Sequence, residues 1–391
     1  MSKVYLDSGA GVAPCTEVMN NIRDFAEIFY NASSINELSK YNKQVIENTR
    51  SRIAKMINAE PEEIIFTSCA SESNSLAIDG FLKAHEDYCV ISTTIEHDSI
   101  IKNPNIAKFI DVNTDGFVRP SDFSGYKKTL FACMMANNEI GTIQPIGMVS
   151  KVVHNNSDNY LFVDATASFG HLRIDVKDMD IDMLTATAQK VGGINGCAFL
   201  YVRKGIKLKP IIYGNQENGL RGGTYNQLAI KCLNIALDEI EVDLNKEFTM
   251  RMKRDYLVKC LLNIDGIHLN GSLTDRLSNN INIRFDNLNI DSQQIVSILD
   301  NMGYIVSPSS ACNSGKTTPS HVLKAIRLTD EQANHSIRIT LNNNTGVQEL
   351  DGLISIIKSM VQMHKIKEKK FYWKIIMQLF KYCIFLYSTL V

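Results

Sequence analysis

The sequence predicts an α/β architecture, a large mostly parallel sheet joined to a smaller α+β unit. Three observations lead there. Short apolar runs alternate with longer amphipathic ones as far as residue 202. The short runs are almost continuously apolar, as strands covered on both faces are. Past residue 226 the rhythm changes to a long helical run followed by mixed elements. In order, strands are expected at 64–67, 89–93, 108–112, 129–134, 160–164, 182–187 and 197–202, with helices at 35–58 and 72–84. The run 226–263 reads as helix. Strands at 266–270, 280–285, 304–306 and 336–341 follow, with helices at 291–302 and 345–365. The large domain is thus expected over 15–262, the small one over 1–14 and 263–366, and an apolar tail over 367–391.

Composition narrows the function. The 391 residues are 45% apolar and 21% charged, an ordinary globular balance. Lys plus Arg number 41 against 42 Asp plus Glu, which argues against direct nucleic-acid binding through phosphate contacts. The nine cysteines are scattered and form no CxxC, so neither a disulfide framework nor a metal site is implied. A reducing, cytoplasmic home follows. The N-terminus lacks a signal-like apolar run. The tail, FYWKIIMQLFKYCIFLYSTLV after KIKEKK, is apolar nearly all round as a helix. Packing on its own body, docking on a partner and contact with a membrane surface all suit it.

Five constellations could carry chemistry. Asp164 and Lys190 each follow a predicted strand. An Asp and a Lys at neighbouring strand ends are what a pyridoxal phosphate site needs, the Lys to hold the cofactor's carbonyl and the Asp to keep its ring nitrogen protonated. A surface Lys and a capping Asp are the simpler alternative. Residues 66–74 (FTSCASESN) open a helix after a strand, either as a phosphate cup or as an ordinary cap with Ser71 as the N-cap. His97 follows the strand 89–93 and could stack on a flat cofactor, move a proton or be merely structural. Cys312 lies in a loop of small residues, where a thiol that must travel is well placed. Arg338 sits in an alternating strand; facing inward, it calls for an anionic partner such as a carboxylate.

The order of these pieces resembles the cysteine desulfurases, the NifS-like branch of the class V aminotransferase family. The resemblance runs from Asp7 through YNASS at 30–34, IEHDS at 95–99, ANNEIGTIQPI at 136–146, VDATAS at 163–168, LRGGT at 220–224, SSACNSG at 309–315 and SIRITL at 336–341. It implies the fold type I of pyridoxal 5'-phosphate enzymes, and a homodimer. Carried across, Lys190 would hold the cofactor, Asp164 its ring nitrogen, and His97 would stack on the ring and help move protons. Ala70, Ser71, Thr187, Gln189 and, from the other subunit, Thr224 would hold the phosphate. Asn138 would meet cofactor and substrate, Arg338 the substrate carboxylate, and Cys312 would accept sulfur. The implied reaction turns L-cysteine into L-alanine and passes a persulfide to a scaffold for iron–sulfur cluster assembly or to an enzyme that thiolates tRNA or DNA.

The sequence departs from that pattern near the N-terminus, where GVAP at 11–14 replaces paired threonines, and at four further places. Cys69 stands where the family has Gly, Ser71 where it has Thr, Ala167 where it has a Gln that bonds the ring oxygen, and Gln189 where it has His. None of these removes a group that makes or breaks a bond. Two other readings stay open: a selenocysteine lyase or class V aminotransferase, which would not need Cys312, and a weakened paralogue serving as partner or scaffold.

Overall fold

A computed structural model describes residues 3–242, 244–286, 288–309, 311–313 and 316–364, with side chains placed except at 241–246 and 310–317. The tail expected over 367–391 lies outside the described residues.

Seven strands form the central sheet: β1 (Ile64–Thr67), β2 (Cys89–Thr93), β3 (Ile106–Ile110), β4 (Thr129–Ala132), β5 (Tyr160–Asp164), β6 (Met183–Thr187) and β7 (Ala198–Val202). Their spatial order is β1-β7-β6-β5-β4-β2-β3, and only β7 runs antiparallel to its neighbours. Alternate side chains supply two apolar layers. Ile91, Phe131, Leu161, Val163 and Leu184 face one, and Val90, Leu130, Phe162 and Met183 the other. β1, β4, β6 and β7 are buried along their whole length, as strands covered on both faces must be. β3 is an edge strand whose middle residues, Lys108 among them, are exposed. Helix Glu37–Met56 covers the sheet with Ile46, Ile53 and Ala54; the Asn36 side chain caps it by accepting from Ser39 N–H.

A second sheet has the order Ser307–Pro308, Ser336–Thr340, Asn280–Phe285, Ile267–Leu269, all antiparallel. Ile281, Ile283, Ile337 and Ile339 point into a separate core, closed by Leu6, Leu257, Leu353 and Ile357. The N-terminal strand Val4–Tyr5 pairs in parallel with Tyr304–Ile305, and Asp7 bridges to Thr340. This threads residues 8–10 between the two units.

Some boundaries differ from expectation. The run 226–263 forms two helices, Gln227–Val242 and Leu244–Leu262, and the second gives Met250, Leu257, Val258 and Leu261 to the small core. A helix at Thr16–Ala26 was not predicted, although Val18, Ile22 and Phe25 recur at helical spacing. The loop around Cys312 is a hairpin, Ala311–Asn313 against Lys316–Thr318, in which Cys312 faces Thr317. Among the described residues no helix is long and apolar enough to cross a membrane.

Candidate active site

The parallel strands β1, β2, β4, β5 and β6 end on one edge of the sheet. The segments that leave them meet residues 8–10 and strand Ser336–Thr340 around a cavity of about 390 Å³. Lys190, Asp164, His97, Asn138, Ala70, Ser71, Thr187, Gln189 and Arg338 all line it. Thr224 is not among the residues lining it, and the Cys312 side chain lies outside the described residues.

Asp164 ends β5 and is 5% exposed. Its Oδ2 accepts from Asn74 Nδ2 at 2.9 Å, and its Oδ1 accepts from Thr166 N–H at 2.9 Å. Two donors therefore fix the carboxylate's orientation. Asn74 also donates to Ser99 Oγ at 2.9 Å, and Ser99 N–H donates to His97 Nδ1 at 3.1 Å. With Nδ1 accepting, the neutral His97 ring carries its proton on Nε2. Asn74 and Ser99 thus link Asp164 to His97, and neither role was legible in the sequence.

Lys190 closes the tight 3-10 turn Ala188–Lys190 after β6. Its Nζ donates to Ala10 O at 2.8 Å and to Gly9 O. Burial, helped by the nearby Arg338 charge, lowers its pKa from 10.5 to about 8, against the opposing pull of Asp7 and Asp164. It is therefore not the surface Lys that the simpler alternative allowed.

The loop after β1 corrects one expectation. The N-cap of helix Ala70–Ser75 is Cys69, with no side-chain cap bond, and not Ser71. Instead Glu72 reaches back, and its Oε2 accepts from Ser68 N–H at 2.9 Å and from Ser68 Oγ. A carboxylate in the first turn would repel an anion there, but Arg221 Nε lies 2.7 Å from Glu72 Oε1 and neutralises it. The same ion pair ties the 220–224 loop to this turn. The Ser71 hydroxyl stays available to the cavity.

Arg338 faces the cavity, but it already has an anionic partner within the chain. Its NH2 lies 2.8 Å from Asp7 Oδ1, its NH1 donates to Asn138 O at 3.2 Å, and its buried Nε has no hydrogen-bond partner among the described residues. The pairing with Asp7 joins residues 331 positions apart and could not be read from spacing.

The chain matches the model of the class-V aminotransferase family over residues 4–353. It is 35% identical over 390 residues to the cysteine desulfurase IscS of Dictyoglomus turgidum, covering 95% of this chain and 98% of that protein. To the cysteine desulfurase IscS of Methanosarcina thermophila it is 34% identical over 377 residues, with 92% of each covered. Among solved structures, a NifS-like protein superposes with a TM-score of 0.84 at 28% identity, covering 92% of this chain and 100% of that one. A structure described as SspA in complex with cysteine gives 0.75 at 30% identity, covering 87% and 99%. On both its sequence and its fold, the chain belongs to the class-V aminotransferase family.

Proposed function

We propose that the chain is a cysteine desulfurase, converting L-cysteine to L-alanine and carrying the sulfur on Cys312 to an acceptor protein. One observation carries this reading: Lys190, Asp164, His97 and Arg338 converge on one cavity, in a chain whose relatives bear that name over nearly their full length.

The donor set fits pyridoxal 5'-phosphate: an amine of lowered pKa, a carboxylate fixed by two donors, an imidazole, and a helix start whose one nearby carboxylate is neutralised. Lys190 would hold the cofactor, Asp164 would pair with its ring nitrogen, His97 would contact its ring, and Ala70, Ser71, Thr187 and Gln189 would take its phosphate. Thr224 would serve the cavity of a second copy of the chain. When bound, the group supplies an electron sink through its ring.

The protein's own groups do the rest. The Lys190 amine, with a pKa near 8, is suited to take the substrate Cα proton and to return one. Arg338 binds the substrate carboxylate either through its Nε, which has no hydrogen-bond partner among the described residues, or by exchanging Asp7 for it. The Cys312 thiolate attacks the substrate sulfur. An S–S bond forms as the substrate's S–Cβ bond breaks, and that electron pair stays with Cβ, which is protonated on the way to alanine. The persulfide then passes its outer sulfur to an acceptor thiolate on a scaffold or thiolation enzyme.

A homodimer suits this reading. A cleft lined by 32–35, Arg50 and 215–218 lies beside strongly exposed apolar residues, Ile35 at 93% and Tyr213 at 81%. A reducing, cytoplasmic setting suits the free cysteines at 15, 69, 89, 133, 197, 232 and 260.

The test is alanine formation from cysteine with a reductant. Cys312→Ser and Lys190→Ala are expected to abolish it. Undiminished alanine from Cys312→Ser would remove the persulfide step and favour a lyase or aminotransferase.

A further inference from the structure

The turn at residues 7–10 presents two successive carbonyls to one amine. Lys190 Nζ donates to Ala10 O at 2.8 Å and to Gly9 O. Among the described residues no backbone N–H donates to either carbonyl. They converge because the chain turns, with Ala10 N–H donating to Asp7 O at 2.9 Å. The turn is held from three sides. The Tyr5 hydroxyl, 2.9 Å from Asp7 O and 2.7 Å from Gly11 O, closes it. The Asp7 carboxylate accepts from Arg338 NH2 at 2.8 Å and from Ser307 Oγ at 3.1 Å. Val12 N–H donates to Gln189 O at 3.0 Å, which ties the turn to the residue before Lys190. Gly9 is required by a close approach: a Cβ there would stand 2.8 Å from Thr340 Oγ1 and 3.0 Å from Arg338 Cζ. At Gly11 a Cβ would meet nothing within 4 Å.

We propose that the Gly9 and Ala10 carbonyls cradle the Lys190 ammonium that forms when this amine takes the substrate Cα proton, and so keep that proton on Nζ for return to the product. This rests on the reading of Lys190 as the base of the reaction. In that step the amine lone pair makes the new N–H bond, and the electron pair of the broken Cα–H bond stays with the substrate. Burial and the Arg338 charge oppose an ammonium here, while Asp7 and Asp164 favour it. Two carbonyl oxygens accepting from the charged form offset that opposition. Gly9, Ala10 and Tyr5 are positioning residues, acting through Lys190.

The experiment compares Gly9→Ala, Tyr5→Phe and Gly11→Ala in the full-length protein. Without cofactor, trace acetylation across pH gives the Lys190 midpoint. With cofactor bound, as its visible absorbance reports, proton NMR in deuterium oxide follows exchange of the Cα hydrogen of L-alanine. That exchange needs the amine and no thiol. Gly9→Ala displaces the turn and Tyr5→Phe unfastens it, so both are expected to lower the Lys190 midpoint by about one unit, the effect of losing one hydrogen bond to a charged group. At about pH 9.5, where the amine is neutral in every variant, exchange should slow about threefold, as it does for a weaker base. Tyr5→Phe should leave the alanine midpoint unchanged, and Gly11→Ala should match the unmodified protein throughout. A turn that acted only through Arg338 would give the opposite sign, because moving that charge away raises the midpoint. The proposal is overturned if the midpoint rises or stays put in both Gly9→Ala and Tyr5→Phe, or if Gly11→Ala lowers it equally. If the unmodified protein shows neither cofactor absorbance nor exchange, the functional reading fails, and the acetylation arm alone decides the cradle.

Discussion

Lys190 offers the sharpest quantitative prediction. Its pKa of about 8, against the ordinary 10.5, arises first from burial and then from Arg338, with Asp7 and Asp164 pulling the other way. At pH 7 roughly a tenth of such an amine is neutral, against about one part in three thousand for a free lysine, so burial raises the reactive fraction about 300-fold. The two charges that flank it allow a test with opposite signs. Arg338→Gln removes a positive neighbour and is expected to raise the Lys190 midpoint, while Asp7→Asn removes a negative one and is expected to lower it. Trace acetylation of the cofactor-free protein across pH, with the Lys190 peptide quantified by mass spectrometry, reads the midpoint directly. The same shift has a stability consequence. Between about 8 and 10.5 the unfolded chain holds a proton on Lys190 that the folded chain has released, so this group's contribution to stability rises with pH across that window. A Lys190 midpoint near the ordinary value, unmoved by either substitution, would refute the account of how the cavity tunes this amine.

Further predictions concern buried charges. Glu96 is fully buried, and desolvation raises its pKa to about 8, so the unfolded chain has lost its proton by pH 7 while the folded chain keeps it. Stability contributed here falls as pH rises from about 4.5 to about 8, and Glu96→Gln should flatten that slope in denaturant melts while leaving the fold intact. The Arg50–Glu217 pair, 2.8 Å apart and buried, pins the loop ahead of Thr224 to helix Glu37–Met56. Glu217→Gln should cost about 3 kcal/mol by leaving the buried guanidinium with only the half-exposed Glu47 as counter-charge, read as a lower denaturant midpoint. Asp164→Asn sets an amide against the Asn74 and Thr166 donors; it should lower kcat about a hundredfold in a protein whose circular dichroism is unchanged.

The sheet strands were legible because each is a short, nearly unbroken apolar run, and their ends moved by at most two residues. The hairpin at 311–318 was not: its Ser, Asn, Gly, Lys and Thr residues give no period. Within the site, Lys190, Asp164, His97 and Arg338 were legible because each stands directly after, or within, a strand of the predicted sheets. What was not legible is what holds them. Asn74 and Ser99 look like ordinary helix residues until β1 and β2 bring them beside Asp164 and His97. Glu139 and Glu96 carry no signal of their own in the sequence, and only the fold shows them hydrogen-bonded beneath the cavity wall. Asp7 took meaning only from its partner, because local pattern carries no record of a contact across the whole chain.

That contact has a consequence for synthesis. The central sheet is complete once residue 202 has been made, and the chain up to that point carries Lys190, Asp164 and His97. The wall formed by Asn280, Arg338 and Thr340 comes later, and the Arg338–Asp7 bond joins residues 331 positions apart. A nascent chain stalled before residue 336 therefore has the amine but not the closed cavity around it. Such a truncated product would keep the groups proposed to face the cofactor, Lys190, Asp164 and His97, and would lack the Arg338 wall proposed to meet the substrate.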